Sequence, residues 1–243
     1  MIFKARPGQT SYGELIGILL LDTTTPFIHG DVGNAGTYQY PVRFRRIDGL
    51  TPERIFAHDQ SFIQEMVRGA QELEREGVKA ITGDCGFMAI YQREVQRAVH
   101  IPVFLTSLLQ IPFIASIIAP RSTIGVLTAN AQSLDLQLFS SLGINDSSKI
   151  RVAGLEHSDA FKKAAIDDVG VLDSGQIRTD VVQAARTLQA ENSDLGALLL
   201  ECSMLPPYAA AIQEATGLPV FDYLSLIDYV AFAVRKKTFN DAL

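Results

Sequence analysis

The feature that most restricts what this chain can fold into is a repeat centred on Cys85 and Cys202, the two cysteines among its 243 residues. Gly77-Val-Lys-Ala-Ile-Thr-Gly-Asp-Cys85 aligns with Asp194-Leu-Gly-Ala-Leu-Leu-Leu-Glu-Cys202, each an apolar run, an acidic residue and then the thiol. Pro102 follows Cys85 by 17 positions and Pro219 follows Cys202 by the same 17, and each proline is followed by Val-Phe. Upstream, Ile16-Gly17-Ile18 matches Ile124-Gly125-Val126. Self-similarity of this kind marks a duplicated supersecondary unit. It predicts two related lobes, one of residues 1–107 with a returning C-terminal helix in 224–243, the other of residues 108–223.

Short branched apolar runs alternate with helical patterns, as in parallel sheets covered on both faces. Strands are expected at 15–21, 42–47, 78–82, 103–106, 123–128, 150–155, 195–201 and 219–223. Thr51-Pro52 reads as an N-cap and a first-turn proline, followed by a helical alternation from Ile55 through Glu76. Pro206-Pro207 opens a helix in the same way after Cys202. The expected fold is α/β, two pseudo-symmetric lobes, each a parallel sheet flanked by helices, with an active site at the lobe interface.

Composition narrows the partners. A hydrophobic fraction of 47% supports a large core, and 21 basic against 27 acidic residues give a net charge of -6 without a Lys/Arg cluster. This argues against nucleic acid and for a small molecule or another protein as partner. Two cysteines 117 positions apart form neither a disulfide framework nor a zinc site, and four scattered histidines add no metal spacing. The expectation is a cytoplasmic protein with no metal and no membrane span, the apolar stretch 103–119 being interrupted by Pro112. Ile111 to Ala119 suits a homodimer contact.

Ligands of open parallel sheets bind beyond the carboxyl ends of the strands, where both cysteines are expected. Each also precedes an expected helix, whose positive end would favour the thiolate. Two thiols facing each other across a substrate carbon can remove a proton from one face and return one to the other. The competing reading of a single cysteine is a small buried hydrophobe, and the repeat tips the balance toward chemistry. The acidic neighbours Asp84 and Glu201 are open between an orienting and a structural role, since adjacent strand positions point to opposite faces.

These residues resemble the aspartate/glutamate racemase superfamily, which includes hydantoin racemases, maleate isomerases and arylmalonate decarboxylases. The likeness covers nearly the whole chain and is strongest to a branch with a Gly-Asp-(Ile/Val)-Gly-Asn loop, here Gly30-Asp31-Val32-Gly33-Asn34. Asp84-Cys85-Gly86-Phe87 and Leu200-Glu201-Cys202-Ser203-Met204 resemble the two catalytic strand ends. The resemblance implies a cofactor-independent enzyme with paired catalytic cysteines. Glutamate racemases carry Cys-Asn-Thr and Cys-Thr-His where this chain has Cys85-Gly86-Phe87 and Cys202-Ser203-Met204, so no histidine follows the second thiol. Phe87 and Met204 make the expected pocket more apolar than one built for a glutamate side chain.

The activity expected from the sequence is isomerisation by a racemase or epimerase of an amino acid or related carboxylate, with Cys85 and Cys202 as the two bases. Maleate-type cis-trans isomerisation and a non-catalytic ligand-binding or thiol-sensor protein are the alternatives. The substrate contacts expected are Asn34 from the glycine-rich loop, the Gly86-Phe87 and Ser203-Met204 turns, and Thr128 and Asn130 after the first strand of the second half. For Thr128 and Asn130 an N-cap role competes. Arg43, Arg45 and Arg46 read as a solvated edge strand.

Overall fold

The protein is described by a computed structural model covering residues 1–5 and 7–238. Eight strands form two separate four-stranded parallel sheets. The first contains β1 (Ile16–Leu20), β2 (Val42–Arg46), β3 (Ala80–Gly83) and β4 (Val103–Phe104) in the order β2-β1-β3-β4. The second contains β5 (Thr123–Thr128), β6 (Ile150–Gly154), β7 (Leu195–Leu200) and β8 (Val220–Phe221) in the order β6-β5-β7-β8. The two orders are the same, and all eight expected strands are present with ends within three residues of expectation. A duplicated sequence has folded into a duplicated topology.

In each half the chain runs outward from the first strand to one neighbour and then returns to the other side of it. The order therefore reverses between β1 and β3, and again between β5 and β7. Helices on opposite faces diverge at such a point and leave a crevice beyond the carboxyl ends. Registers of Leu19 with Gly83 and of Leu127 with Leu200 bring Leu21 beside Asp84-Cys85, and Ala129 beside Glu201-Cys202.

The helices α1 (Pro52–Phe56), α2 (Ile63–Arg75), α3 (Gln92–Ala98) and α4 (Ile111–Ile117) belong to the first half and its connection to the second. The second half carries α5 (Leu136–Ser141), α6 (Asp159–Ala165), α7 (Ser174–Glu191) and α8 (Ala209–Thr216). The last helix, α9 (Tyr223–Val234), starts at a capping box between Asp222 and Ser225. It packs back on the first sheet, where Tyr223, Ile227 and Ala231 join Ile16, Ile18, Ala80 and Phe104 in one buried cluster. Residues 239–243, the end of the expected returning segment, lie outside the described residues. A second cluster runs from Leu19 to Ile212 and is continuous across both halves.

Two expectations are corrected locally. The helix from Ile55 to Glu76 is broken: α1 ends at Phe56, His58 takes a left-handed backbone (φ 53), and Asp59 caps a new turn through Ser61 N–H. Asp59 there offers the backbone a side-chain acceptor in place of continued helix. Secondly, both cysteines are followed by irregular turns and short 3-10 segments before α3 and α8 begin, so neither thiol sits at the mouth of a long helix. As expected, the apolar 103–119 stretch is divided, into β4, a 3-10 turn and α4, with Phe113 and Ile117 exposed. Among the described residues no helix is long and apolar enough to cross a membrane. As expected, β2 is an edge strand, and its arginines pair with Glu14 and Glu76 (Arg43), Glu72 (Arg45), and Asp22 and Asp48 (Arg46).

Helix α7 lies so close to β5 that a β-carbon on Gly125 would stand 2.7 Å from Leu198 and 2.9 Å from Leu188. The matching Gly17 in β1 leaves slightly more room, 3.0 Å to Leu73. Gly125→Ala is expected to cost about 1–3 kcal/mol through overpacking, and Gly17→Ala less. Guanidinium unfolding of both variants checks this, since the midpoint should fall without a change in slope.

Candidate active site

The two crevices face each other. A cavity of about 40 Å³ lies between them, walled by both thiols, Cys85 and Cys202. From the first half come Leu21, Thr23, Thr25, Phe27, Phe56, Asp84, Gly86 and Phe87; from the second come Ala129, Ala165, Glu201, Ser203 and Met204. Among the described residues none of the wall side chains is Lys, Arg or His. No group of three or more His, Cys, Asp or Glu among them is arranged to hold a metal ion.

The two strand ends are stitched together. The Ser203 hydroxyl donates to the Asp84 carbonyl, and Ser107 Oγ donates to the carbonyls of Leu200 at 3.0 Å and Glu201 at 3.3 Å. A β-carbon on Gly86 would overlap Glu201 Oε1, so the glycine is what lets the Glu201 side chain reach the first half. Gly30, with a left-handed backbone (φ 96), lets the glycine-rich loop lie against Pro207. Over the cavity, Thr25 Oγ1 donates to the Ala164 carbonyl at 2.7 Å. Asp168 accepts from Thr23 Oγ1 and Thr24 N–H, each at 2.8 Å.

Asp84 and Glu201, beside the thiols, are both on the wall. Asp84 accepts from Leu21 N–H at 3.0 and 3.2 Å, while Glu201 accepts from Thr128 Oγ1 at 2.7 Å and from Ala129 N–H. Desolvation nevertheless pushes each up to about 7. Burial also drives both thiols well above their ordinary value, with the Glu201 charge adding to the effect on each. The N–H of Phe87 opposes it at Cys85, and that of Met204 does so at Cys202. The expectation that helix ends would lower the thiols is thus overturned, because removal from water outweighs the few N–H groups in reach.

Of the substrate contacts expected from sequence, Gly86, Phe87, Ser203 and Met204 are on the wall. Asn34, Thr128 and Asn130 are not. Asn34 donates to the Phe27 carbonyl and accepts from Gly36 N–H, closing its own loop. Thr128 is fully buried behind Glu201, and Asn130 accepts from Gln132 N–H. Each short polar side chain has satisfied neighbouring groups instead of a ligand. Sequence reasoning missed Thr23, Thr25 and Phe27, which reach the site on the loop after β1, and Phe56 at the end of α1, none of them in a motif. It also missed Asp31, buried at 1% exposure, accepting from Gly33 N–H and adding to the charge felt at Cys202.

Asp84 binds its proton more tightly folded (about 7) than unfolded (3.8), so its contribution to stability falls as pH rises through that window. Asp84→Asn removes this dependence. Relative to the parent, the variant should gain up to about 4 kcal/mol between pH 4 and pH 8, read from urea unfolding at the two pH values.

No family model matches the chain. It is 32% identical over 221 residues to a dimethylsulfoniopropionate lyase of Durusdinium sp. clade D, covering 88% of this chain and 73% of that protein. Identity is also 32% over 227 residues to dimethylsulfoniopropionate lyase 5 of Emiliania huxleyi, where the match takes 88% of this chain but spans only 44% of the relative's length. In structure it is similar to an arylmalonate decarboxylase (TM-score 0.60, 14% identity, 93% of this chain and 94% of the other). It is likewise similar to the Picrophilus torridus aspartate racemase (TM-score 0.57, 18% identity, 94% and 96%). The structural likeness shows the fold, and the relatives in sequence and in structure are enzymes by name. The chain belongs to the family of the dimethylsulfoniopropionate lyases and has the fold of arylmalonate decarboxylase and aspartate racemase.

Proposed function

We propose that this chain is a lyase that removes a proton from the carbon next to a carboxylate and expels dimethyl sulfide from the adjoining carbon of dimethylsulfoniopropionate. The observation that carries this reading is the character of the cavity wall: two thiols, two carboxyls, three phenylalanines and a methionine, with no basic side chain among them. A dicarboxylate such as maleate or aspartate would bring further negative charge to Asp84 and Glu201 without a cation to receive it. A zwitterion ending in a sulfonium suits the same wall, because that cation has no N–H to satisfy and is attracted to carboxylates and aromatic faces. The names of the relatives in sequence point to the same substrate.

The chemistry begins as a racemase would. A thiolate takes the α-proton, and charge develops on the substrate carboxylate. With a sulfonium on the β-carbon, the electron pair forms the carbon–carbon double bond as the carbon–sulfur bond breaks. Neutral dimethyl sulfide and acrylate leave, and the proton stays on the enzyme until solvent removes it. Racemisation is a second reading, favoured by the equivalent placement of Cys85 and Cys202 at the ends of β3 and β7. It shares the first proton transfer and differs in the second step, the return of a proton from the opposite face.

Proton NMR in deuterated water with dimethylsulfoniopropionate, and separately with a panel of amino acids, tests the reading. Acrylate and dimethyl sulfide are expected, with Cys85→Ser and Cys202→Ser each lowering kcat/KM by about 10²–10⁴. Deuterium entering an amino-acid α-position without cleavage of the sulfonium would establish racemisation instead. Binding without turnover of any of them would favour a sensor.

A further inference from the structure

Among the described residues three buried side-chain polar atoms have no hydrogen-bond partner: His58 Nε2, Tyr208 OH and Glu201 Oε1. Of these three residues Glu201 alone is on the cavity wall, and it is fully buried. Its two oxygens have different surroundings. Oε2 accepts at 2.7 Å from Thr128 Oγ1, which is not on the wall, whereas Oε1 lies where a β-carbon on Gly86, a wall residue, would stand. An unpaired carboxyl oxygen kept out of water is costly, so its retention on the wall points to a partner that arrives with the substrate.

The rest of the wall indicates which substrate group that is. A carboxylate leaving water needs hydrogen-bond donors, and none of the wall side chains is Lys, Arg or His. The wall hydroxyls are already engaged: Thr23 Oγ1 donates to Asp168 at 2.8 Å, Thr25 Oγ1 to the Ala164 carbonyl at 2.7 Å, and Ser203 Oγ to the Asp84 carbonyl. Asp84 accepts the Leu21 N–H on both oxygens, at 3.0 and 3.2 Å, so neither is open as Oε1 is. Thiols are weak donors. A protonated Glu201 is the wall side chain left with a strong O–H to give, and because Thr128 donates to Oε2 the open place for that proton is Oε1. Burial pushes Glu201 up to about 7, so the acid form is reached near neutral pH. A second carboxylate arriving beside it stabilises that form further, since one proton shared between two carboxyls leaves a single charge.

We propose that Glu201 receives the substrate carboxylate as the neutral acid, donating the Oε1 proton to one of its oxygens. The identity of the substrate rests on the lyase reading above, and Glu201 becomes the residue that selects a carboxylate in a site without a cation. In balance, one proton enters from solvent when a carboxylate binds beside ionised Glu201, and one returns to solvent when the product leaves. The titratable groups around it are Cys85, Cys202 and Tyr223 at the start of α9, each of which feels the Glu201 charge, with Asp84 just past β3 and Asp31 of the glycine-rich loop. All are acids, so none of them holds Glu201 in its charged form.

Calorimetric titration with acrylate and with propionate, in buffers of differing ionisation heat, tests this without turnover. Both ligands stay ionised from about pH 6 to about pH 8, so proton uptake on binding belongs to the protein. The parent should take up about one proton at pH 8 and almost none at pH 6, with affinity about tenfold weaker at the higher pH. Glu201→Gln keeps an oxygen for Thr128 and Ala129 and puts an amide donor in place of the acid. It should bind at both pH values within about threefold of the parent at pH 6, with no proton uptake. Glu201→Met has no donor and should bind at least about tenfold more weakly at pH 6. The same pattern is expected in KM for dimethylsulfoniopropionate cleavage. Proton uptake that persists in Glu201→Gln would overturn the proposal and assign the proton to another acid of the site. Glu201→Gln binding as weakly as Glu201→Met, parent affinity independent of pH, or no saturable binding of either ligand would overturn it too. If Glu201→Met does not fold, the parent and Glu201→Gln decide. Proton-coupled binding of acrylate without any cleavage of the sulfonium would refute the lyase reading alone and leave the carboxylate site standing.

Discussion

The meeting of two strand ends is the contact on which the rest of this molecule depends. Ser203 donates to the Asp84 carbonyl, and Glu201 occupies the space that Gly86 leaves open. These contacts hold Cys85 and Cys202 on one cavity although 117 residues separate them. They also bury Asp84, Glu201 and Cys202. Desolvation is the leading cause of the upward shift at Asp84, Glu201 and both thiols, so the same packing that gathers the groups also determines which of them hold protons.

A cluster of acids with no nearby cation is unusual in a protein interior, where buried charges are paired. Here the solution is neutralisation and backbone donors. Leu21 and Ala129 each offer an N–H, Phe87 and Met204 offer theirs to the sulfurs, and carboxyls pushed up to about 7 can carry protons at neutral pH. Such groups exchange protons at little cost, which is what a site for proton abstraction requires. The absence of basic side chains on the wall also separates this cavity from one suited to dicarboxylates, and so bears on substrate choice as well as on mechanism.

The covering of the site comes from segments with little regular structure. The loop after β1 carries Thr23, Thr25 and Phe27 over the cavity and is fastened to Ala164 and Asp168 of the second half. Asp168 holds a left-handed backbone (φ 51) while it accepts these bonds. Loops held by a rigid pair of sheets can set a pocket's shape without disturbing the strand ends that carry its reactive groups.

The eight strands, their duplication and the equivalent placement of Cys85 and Cys202 were legible in the sequence because they depend on local alternation and on a repeat, both readable along one dimension. Gly86, Phe87, Ser203 and Met204 were legible for the same reason, being adjacent to the thiols. Asn34, Thr128 and Asn130 were not, since a short polar side chain can serve its own backbone or a ligand equally well until neighbours are known. The break at His58, the unpaired oxygen of Glu201 and the presence of Phe27 and Phe56 on the wall were decided only by tertiary structure. Each depends on which surfaces meet across the two halves, and burial, which sets the protonation of every group in the site, is a property of that meeting and of no single segment.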